Sequence, residues 1–207
     1  MLNLEWRIFR YQTVESTNLI VKDFITQNAC GKKVPDFDLP GQREKVQKVP
    51  DFDLPGIVVV ADEQTKGYGM RGHSWQSPLG GLYFSLLLKT SLAPISLPEI
   101  PTRVASIIFE TLQKFSAEKL EIKRPNDIVL SRKSAKPEKL AGISSEIYKG
   151  FLVIGVGVNV FKPKEVKCGE FAENIPVYLE DFPTNSLDTK ESVLQAILKD
   201  LNVKLEI

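Results

Sequence analysis

Glu63–Trp75 reads E-Q-T-K-G-Y-G-M-R-G-H-S-W and lies between two β-rich apolar runs, Ile57–Ala61 before it and Leu82–Leu88 after it. Glycines at 67, 69 and 72 share the stretch with Lys66, Arg71, His73 and Trp75. Glycine adopts positive φ without penalty and lets a backbone press close to a ligand. The spacing therefore predicts freed N–H groups in an anion nest, with Lys66 and Arg71 adding positive charge. Trp75, just past the nest, offers a flat face for stacking. This is the chemistry of a mobile loop over a ligand that carries both a phosphate and a base.

The glycines also satisfy G-x-G-x-x-G, a pattern that only its setting can interpret. A dinucleotide-binding turn opens a helix and is followed roughly 20 residues later by an acid for the ribose. Here Pro78, Gly80, Gly81 and a strand follow, and the next acid is Glu99. A kinase-type glycine loop does sit between strands, but neither H-R-D nor D-F-G follows. There is no G-x-x-x-x-G-K-[ST]. The common nucleotide-binding readings fail on context.

Composition narrows the class. A chain of 207 residues with 43% hydrophobic content can build one sizeable domain. A net charge of +1 argues against bulk nucleic acid as a partner. Cys30 and Cys168 form neither a metal spacing nor a disulfide framework, and His73 is the only histidine. The first residues, M-L-N-L-E-W-R, lack an apolar signal core, and no run approaches the ~18 apolar residues of a membrane span. A soluble, cytoplasmic, non-membrane protein is expected.

The order of elements predicts an α+β fold. Glu5–Tyr11 reads as a strand, and Ser16 or Thr17 caps a helix running to about Gln27. K-V-P-D-F-D-L-P-G at 33–41 recurs identically at 48–56; two short proline-rich copies bury nothing, so residues 31–56 read as an inserted surface loop. A strand Leu82–Thr90 precedes a helix near Thr102–Phe115. The 3.6-residue spacing of Val104, Ile107, Ile108, Thr111 and Phe115 marks a core face and nothing more. Leu120–Lys123, Ile128–Leu130, Leu140–Ile147 and Phe151–Val160 read as strands, with Asn126 and Asp127 in the corner after Pro125. Lys190–Val203 is an amphipathic helix packed on the sheet.

Five motifs resemble those of the biotin–protein ligases, in the family's order, over residues 16–159. Ser16-Thr17-Asn18 looks like the S-T-N that opens the first helix, and the glycine segment looks like the G-R-G-R-x-G-R-x-W ligand loop. Lys123-Arg124-Pro125-Asn126-Asp127 looks like K-W-P-N-D. Lys139-Leu140-Ala141-Gly142-Ile143 with Glu146 looks like K-L-A-G-I-x-x-E, and Gly155-Val156-Gly157-Val158-Asn159 looks like G-I-G-I-N. The resemblance implies a mixed β-sheet with packed helices, the class II aminoacyl-tRNA synthetase-like catalytic domain shared by biotin and lipoate ligases.

By the same resemblance, Ser16, Thr17, Asn18, Gln64, Gly67, Tyr68, Lys139 and Gly142 contact biotin. Met70, Arg71, Trp75, Asn126 and Asn159 serve the nucleotide, Asp127 supports Mg²⁺, and Lys139 and Arg71 act in catalysis. Each has a plainer reading. Ser16 and Thr17 are good helix caps anywhere, Trp75 suits a core, Asn126 and Asp127 suit a turn, and Lys139 suits the solvated end of a strand. Gly155 and Gly157 allow close approach or mark bulges.

The chain also departs from the family pattern. Tyr68, Met70 and His73 stand where three loop arginines are usual, Arg124 replaces a tryptophan, and Arg71 is the loop's remaining guanidinium. The implied reaction is ATP-dependent formation of biotinyl-5′-AMP, then biotin transfer to a lysine of a biotin carboxyl carrier protein. Biotin, ATP and Mg²⁺ are the implied ligands, DNA is not a partner, and a homodimer is left open. No N-terminal helix-turn-helix is expected, and the small C-terminal SH3-like domain is expected to be absent or truncated. A lipoate or octanoate ligase and a non-catalytic biotin- or nucleotide-binding protein are the alternatives.

Overall fold

The computed structural model describes residues 5–29, 56–89, 99–132, 136–164 and 174–205. The duplicated segment through Pro55, Cys30 and Cys168 lie outside these residues. The described chain runs β1 (Arg7–Val14), α1 (Thr17–Ala29), β2 (Ile57–Gln64), β3 (Leu82–Lys89), α2 (Ile100–Gln113), β4 (Leu120–Lys123), β5 (Asp127–Leu130), β6 (Glu138–Tyr148), β7 (Phe151–Val158), β8 (Ile175–Pro176) and α3 (Lys190–Lys204). The strands form one mixed sheet in the order β1-β2-β3-β7-β6-β5-β4, with β8 paired to β6. β1–β2 and β6–β8 are parallel and the other pairs antiparallel, as the α+β reading predicted. Among the described residues no helix is long and apolar enough to cross a membrane.

Alternation along the strands sorts the side chains into two layers. Leu82, Phe84, Leu86 and Leu88 of β3 and Leu152, Ile154, Val156 and Val158 of β7 face α2 and α3 in the main core. Ile57, Val59, Leu87 and Val153 face the other way, against Val21, Phe24 and Ile25 of α1. Because α1 covers only one end of that second face, the rest of it is free to form a cleft. The β6–β7 hairpin turns through Lys149 (φ 47) and Gly150 (φ 80), the paired positive φ of a two-residue type I′ turn.

Three local features differ from expectation. At the start of α1, the N–H of Thr17 is taken by Gln64 Oε1 at 2.8 Å, so a side chain from β2 serves where a hydroxyl cap was predicted. Thr111 is fully buried on the core face of α2, yet its hydroxyl lies 2.7 Å from Asp200 Oδ2 on α3, so that face also carries a polar link between helices. Asp127 is the first residue of β5 rather than part of the preceding corner.

α3 is capped reciprocally. The Ser192 N–H donates to Thr189 Oγ1 at 3.1 Å and the Thr189 N–H to Ser192 Oγ at 3.2 Å. Such a box satisfies two first-turn donors at once. Its Leu194, Ile197, Leu198 and Leu201 join the main core, as predicted.

Candidate active site

A β-bulge decides where the central cation points. Asp127 pairs with Gly142 and Ile128 with Ala141, but Val129 pairs with Lys139, leaving Leu140 as an extra residue on β6. Strict alternation would have placed Lys139 on the face of Ala141 and Ile143, under α2. With the bulge, Leu140 and Ala141 both enter the main core and Lys139 returns to the face of Gly142, a use bulges commonly have beside active sites. There Lys139 Nζ lies 2.8 Å from Asp127 Oδ1 and 4.9 Å from the centre of the Trp75 ring.

The floor of the cleft is made of glycines on adjacent strands. Gly142 pairs with Gly157 and Ser144 with Gly155. A Cβ on Gly157 would come within 2.5 Å of Trp75 Nε1, and one on Gly142 within 3.0 Å of the same indole. A Cβ on Gly155 would stand 2.6 Å from both Asn18 Oδ1 and Ser144 Oγ. The glycines thus make room for side chains crossing the sheet, where the sequence left close ligand or backbone approach and bulges both open. Trp75 Nε1 is buried without a hydrogen-bond partner, leaving a donor at the floor with unmet capacity.

One wall is the start of α1, tied down by an ordered chain of hydrogen bonds. Ser85 Oγ lies 2.7 Å from Thr17 Oγ1 and 2.6 Å from Asn18 Oδ1. A hydroxyl has one proton and an amide oxygen only accepts, so Ser85 donates to Asn18, and the single Thr17 proton is shared between Ser85 Oγ and Gln64 Oε1, the latter at 3.2 Å. Asn18 Nδ2 donates onward to Ser144 Oγ at 3.4 Å. On the other side Gln64 Nε2 donates to Ser77 Oγ at 2.8 Å. Ser16, Thr17, Asn18, Ser77 and Ser85 are all buried; a satisfied network of this kind holds each member to one orientation.

The glycine segment forms a narrow ribbon over this cleft. Gln64 bridges Ser77 and Tyr68 bridges Ser74. The N–H of Trp75 donates to Gly67 O and that of Gly69 to His73 O, both at 2.8 Å. A 3₁₀ turn at Met70–Gly72 closes the tip. This corrects the expectation of a nest. Gly72 has positive φ, 76°, but Gly69 sits at −105°, and Gly67 is not in the positive-φ region. Antiparallel pairing commits the N–H groups of residues 69 and 75, and a Gly67 side chain would strike Trp75 O at 2.5 Å. Lys66 is also reassigned, since its ammonium pairs with Glu15 at 2.7 Å where both are exposed.

The cleft, of about 560 Å³, is lined by Ser16, Thr17, Asn18, Gln64, Tyr68, Met70, Trp75, Asn126, Asp127, Lys139, Gly142 and Asn159. Of the expected site residues whose side chains are described, only Gly67 is not among its lining. Arg71 belongs to the tip turn by its backbone, and its side chain lies outside the described residues. Asn126 Nδ2 donates to Ile143 O at 2.6 Å, and Asn159 Nδ2 to Lys139 O at 3.1 Å, so both amides also brace the strand that carries Lys139. Sequence reasoning missed Ser85, Ser77, Ser144 and Asn174. Ser85 had a visible signal, a lone hydroxyl within the apolar run L-Y-F-S-L-L-L. Asn174, which accepts from Lys123 Nζ at 3.3 Å, had none.

Asp127 is the one carboxylate among the lining residues, and among the described residues no group of three His, Cys, Asp or Glu side chains could hold a metal. Mg²⁺ commonly binds through one or two carboxylates plus substrate phosphates. This donor set suits a cation that arrives on a polyphosphate rather than one the protein cages.

The sequence profile of the biotin/lipoate A/B protein ligase family matches residues 52–160. The chain belongs to that family. Its fold is that of the biotin protein ligases. The Aquifex aeolicus biotin protein ligase in complex with biotin and ATP superposes with a TM-score of 0.67 at 25% identity, covering 97% of this chain and 70% of that one. The Leishmania major biotin protein ligase bound to biotinyl-5-AMP gives a TM-score of 0.66 at 21% identity, covering 95% and 73%. In sequence, the bifunctional ligase/repressor BirA of Escherichia coli is 33% identical over 107 residues, 49% of this chain and 32% of BirA. The biotin–[acetyl-CoA-carboxylase] ligase of Paracoccus denitrificans is 28% identical over 140 residues, 64% of this chain and 56% of that ligase. The chain thus matches between a third and just over half of the length of these two relatives.

Proposed function

We propose that the chain attaches biotin to a lysine of a biotin carboxyl carrier domain in two ATP-dependent steps, with the described residues acting as one catalytic domain. In the first, a carboxylate oxygen of biotin attacks the α-phosphorus of ATP, and pyrophosphate leaves. In the second, the acceptor amine attacks the acyl carbon of biotinyl-5′-AMP, AMP departs, and the amine loses a proton. The observation that carries this reading is the meeting, in one cleft, of a neutral hydrogen-bonding wall at α1 with a bulge-directed Lys139.

The division of labour follows from charge. The α1 wall with Gln64 offers fixed neutral donors and acceptors, suited to the uncharged ureido ring. Lys139 is a point charge that screens repulsion between carboxylate and phosphate, and such screening accelerates reaction when it is strongest at the developing charge. Asp127 holds that ammonium in place. Trp75 stacks the base, Asn126 and Asn159 serve the nucleotide end, and the ribbon keeps water from the mixed anhydride. Asp127, a carboxylate of the cleft lining, would hold a Mg²⁺ brought by the ATP phosphates, and that ion would neutralise phosphate charge.

The test is biotin-dependent pyrophosphate release with ATP and Mg²⁺, with and without a carrier domain. Release plus acceptor labelling supports a ligase. Release with lipoate in place of biotin reassigns the acyl substrate. Biotin binding without release makes the protein a binder. Arg71 is the guanidinium proposed to retain the adenylate, so Arg71→Ala speeds escape of biotinyl-5′-AMP; unchanged retention removes it from that role.

A further inference from the structure

The ribbon is tied to the body of the domain by a second device, away from its ladder. Tyr68 lines the cleft, and its hydroxyl bonds to α1 and β6. The phenol oxygen accepts from Lys22 Nζ at 3.2 Å and donates its proton to Glu146 Oε1 at 3.1 Å. Lys22 Nζ closes the triangle on the other carboxylate oxygen, Glu146 Oε2, at 2.6 Å. The same ammonium lies 5.6 Å from the centres of both the Tyr68 and Tyr148 rings. Lys22 belongs to α1, Glu146 and Tyr148 to β6, and Tyr68 to the ribbon, so the cluster joins three elements. Neither Lys22 nor Glu146 lines the cleft.

Lys22 keeps its charge and Tyr68 its proton at neutral pH. Burial works to lower the Lys22 pKa, but the bonds to Glu146 and Tyr68 outweigh it and the net shift is upward. Burial likewise raises Tyr68, against the opposing hydrogen bond from Lys22, so the phenol keeps the proton it gives to Glu146. Charge-assisted bonds of this kind are stronger than neutral ones, and Lys22 is only 19% exposed in its side chain, which limits screening.

We infer that Lys22 is a positioning residue that, through Tyr68 and with Glu146, pins the glycine ribbon over the cleft and so sets how long the acyl-adenylate is retained. The retention half of this inference rests on the proposed ligase function; the pinning half does not. Lys22 touches no substrate and acts only through Tyr68.

The test begins without ligand. Trypsin cuts the ribbon after Lys66 or Arg71, and the cleavage rate reports how often the ribbon lifts. Lys22→Met and Tyr68→Phe each raise that rate roughly 10- to 150-fold, the range for one charge-assisted hydrogen bond, and the double variant adds little more because both remove one device. Lys22→Arg restores the slow rate. Unchanged ribbon cleavage in Lys22→Met, or a fall in Tm without ribbon-specific cleavage, overturns the pinning. With the full enzyme, Lys22→Met then raises the KM for biotin more than it lowers kcat and speeds adenylate escape by a similar factor. Unaltered escape with faster cleavage overturns the retention role. If the unsubstituted protein releases no pyrophosphate, the ligase reading fails, and the cleavage series still decides the pinning.

Discussion

The two faces of the central sheet are built from the same strands and obey opposite rules. On the face toward α2 and α3, β3 presents Leu82, Phe84, Leu86 and Leu88 and every one is buried. On the other face the intervening residues are Tyr83, Ser85 and Leu87. Leu87 meets α1, Ser85 anchors Thr17 and Asn18, and the Tyr83 hydroxyl donates to Pro78 O at 2.8 Å. One strand thus alternates between a layer that holds the domain together and a layer that shapes a cleft. The cleft side gives up aliphatic volume, through Gly142, Gly155 and Gly157, to let polar side chains and an indole cross the sheet.

The contrast makes separable predictions. Lys139→Met has the largest effect: biotin-dependent pyrophosphate release falls by about a thousandfold, the scale of losing one preorganised charge at the reacting centre. Tm falls as well, because Asp127, only 16% exposed in its side chain, loses its ion-pair partner, so release is measured where the variant is folded. Release within tenfold of the unsubstituted rate breaks the assignment. A matched pair comes next. Leu194→Ala, on the sealed side, costs about 2–5 kcal/mol of stability in denaturant titration and leaves biotin affinity unchanged while the protein is folded. Gly155→Ala, on the cleft side, drives a methyl into Asn18 and Ser144, costs about 1–3 kcal/mol as an overpacked site, and weakens biotin binding roughly tenfold. If both variants lose stability and affinity in proportion, the two faces are not functionally distinct.

The sealed layer was largely legible in the sequence. The period-2 and 3.6 patterns located β3, β4, β7, α2 and α3 to within a few residues, because burial dictates those patterns directly. Membership of the candidate cleft was also legible, since most motif residues line it. What the sequence hid was direction. The spacing K-L-A-G-I does not announce that Leu140 is a bulge, yet that single extra residue decides which face receives Lys139. Nor does G-x-G-x-x-G say whether its glycines bend the chain or clear space; here Gly72 bends it and Gly67 clears space for the ribbon's own backbone. Lys66 and Lys22 show the same gap. The loop lysine nearest the glycines pairs with exposed Glu15, while a helix lysine 46 residues from Tyr68 reaches the ribbon, because charge partners are chosen by tertiary distance.

The smallest effect tests a polar link on the sealed side. Burial acts to raise the Asp200 pKa, but hydrogen bonds from Lys114 and Thr111 and the nearby Lys204 outweigh it and hold the carboxyl below its usual 3.8. Asp200 Oδ2 lies 2.6 Å from Lys114 Nζ, 2.7 Å from Thr111 Oγ1 and 3.8 Å from Lys204 Nζ. A depressed carboxyl stabilises the fold above its unfolded pKa, and that contribution disappears as pH falls through the lower folded value. The window is therefore below about pH 4, where protonation of Asp200 takes the charge out of its contact with Lys114. Asp200→Asn keeps an acceptor for Thr111 but removes the charge. Its stability at neutral pH should fall slightly, and the acid limb of its stability curve below pH 4 should be shallower than that of the unsubstituted protein. An identical acid limb would mean that this carboxylate does not bind α3 to α2 through its charge. Biotin affinity should be unchanged in either case, because this link and the cleft lie on opposite sides of the sheet.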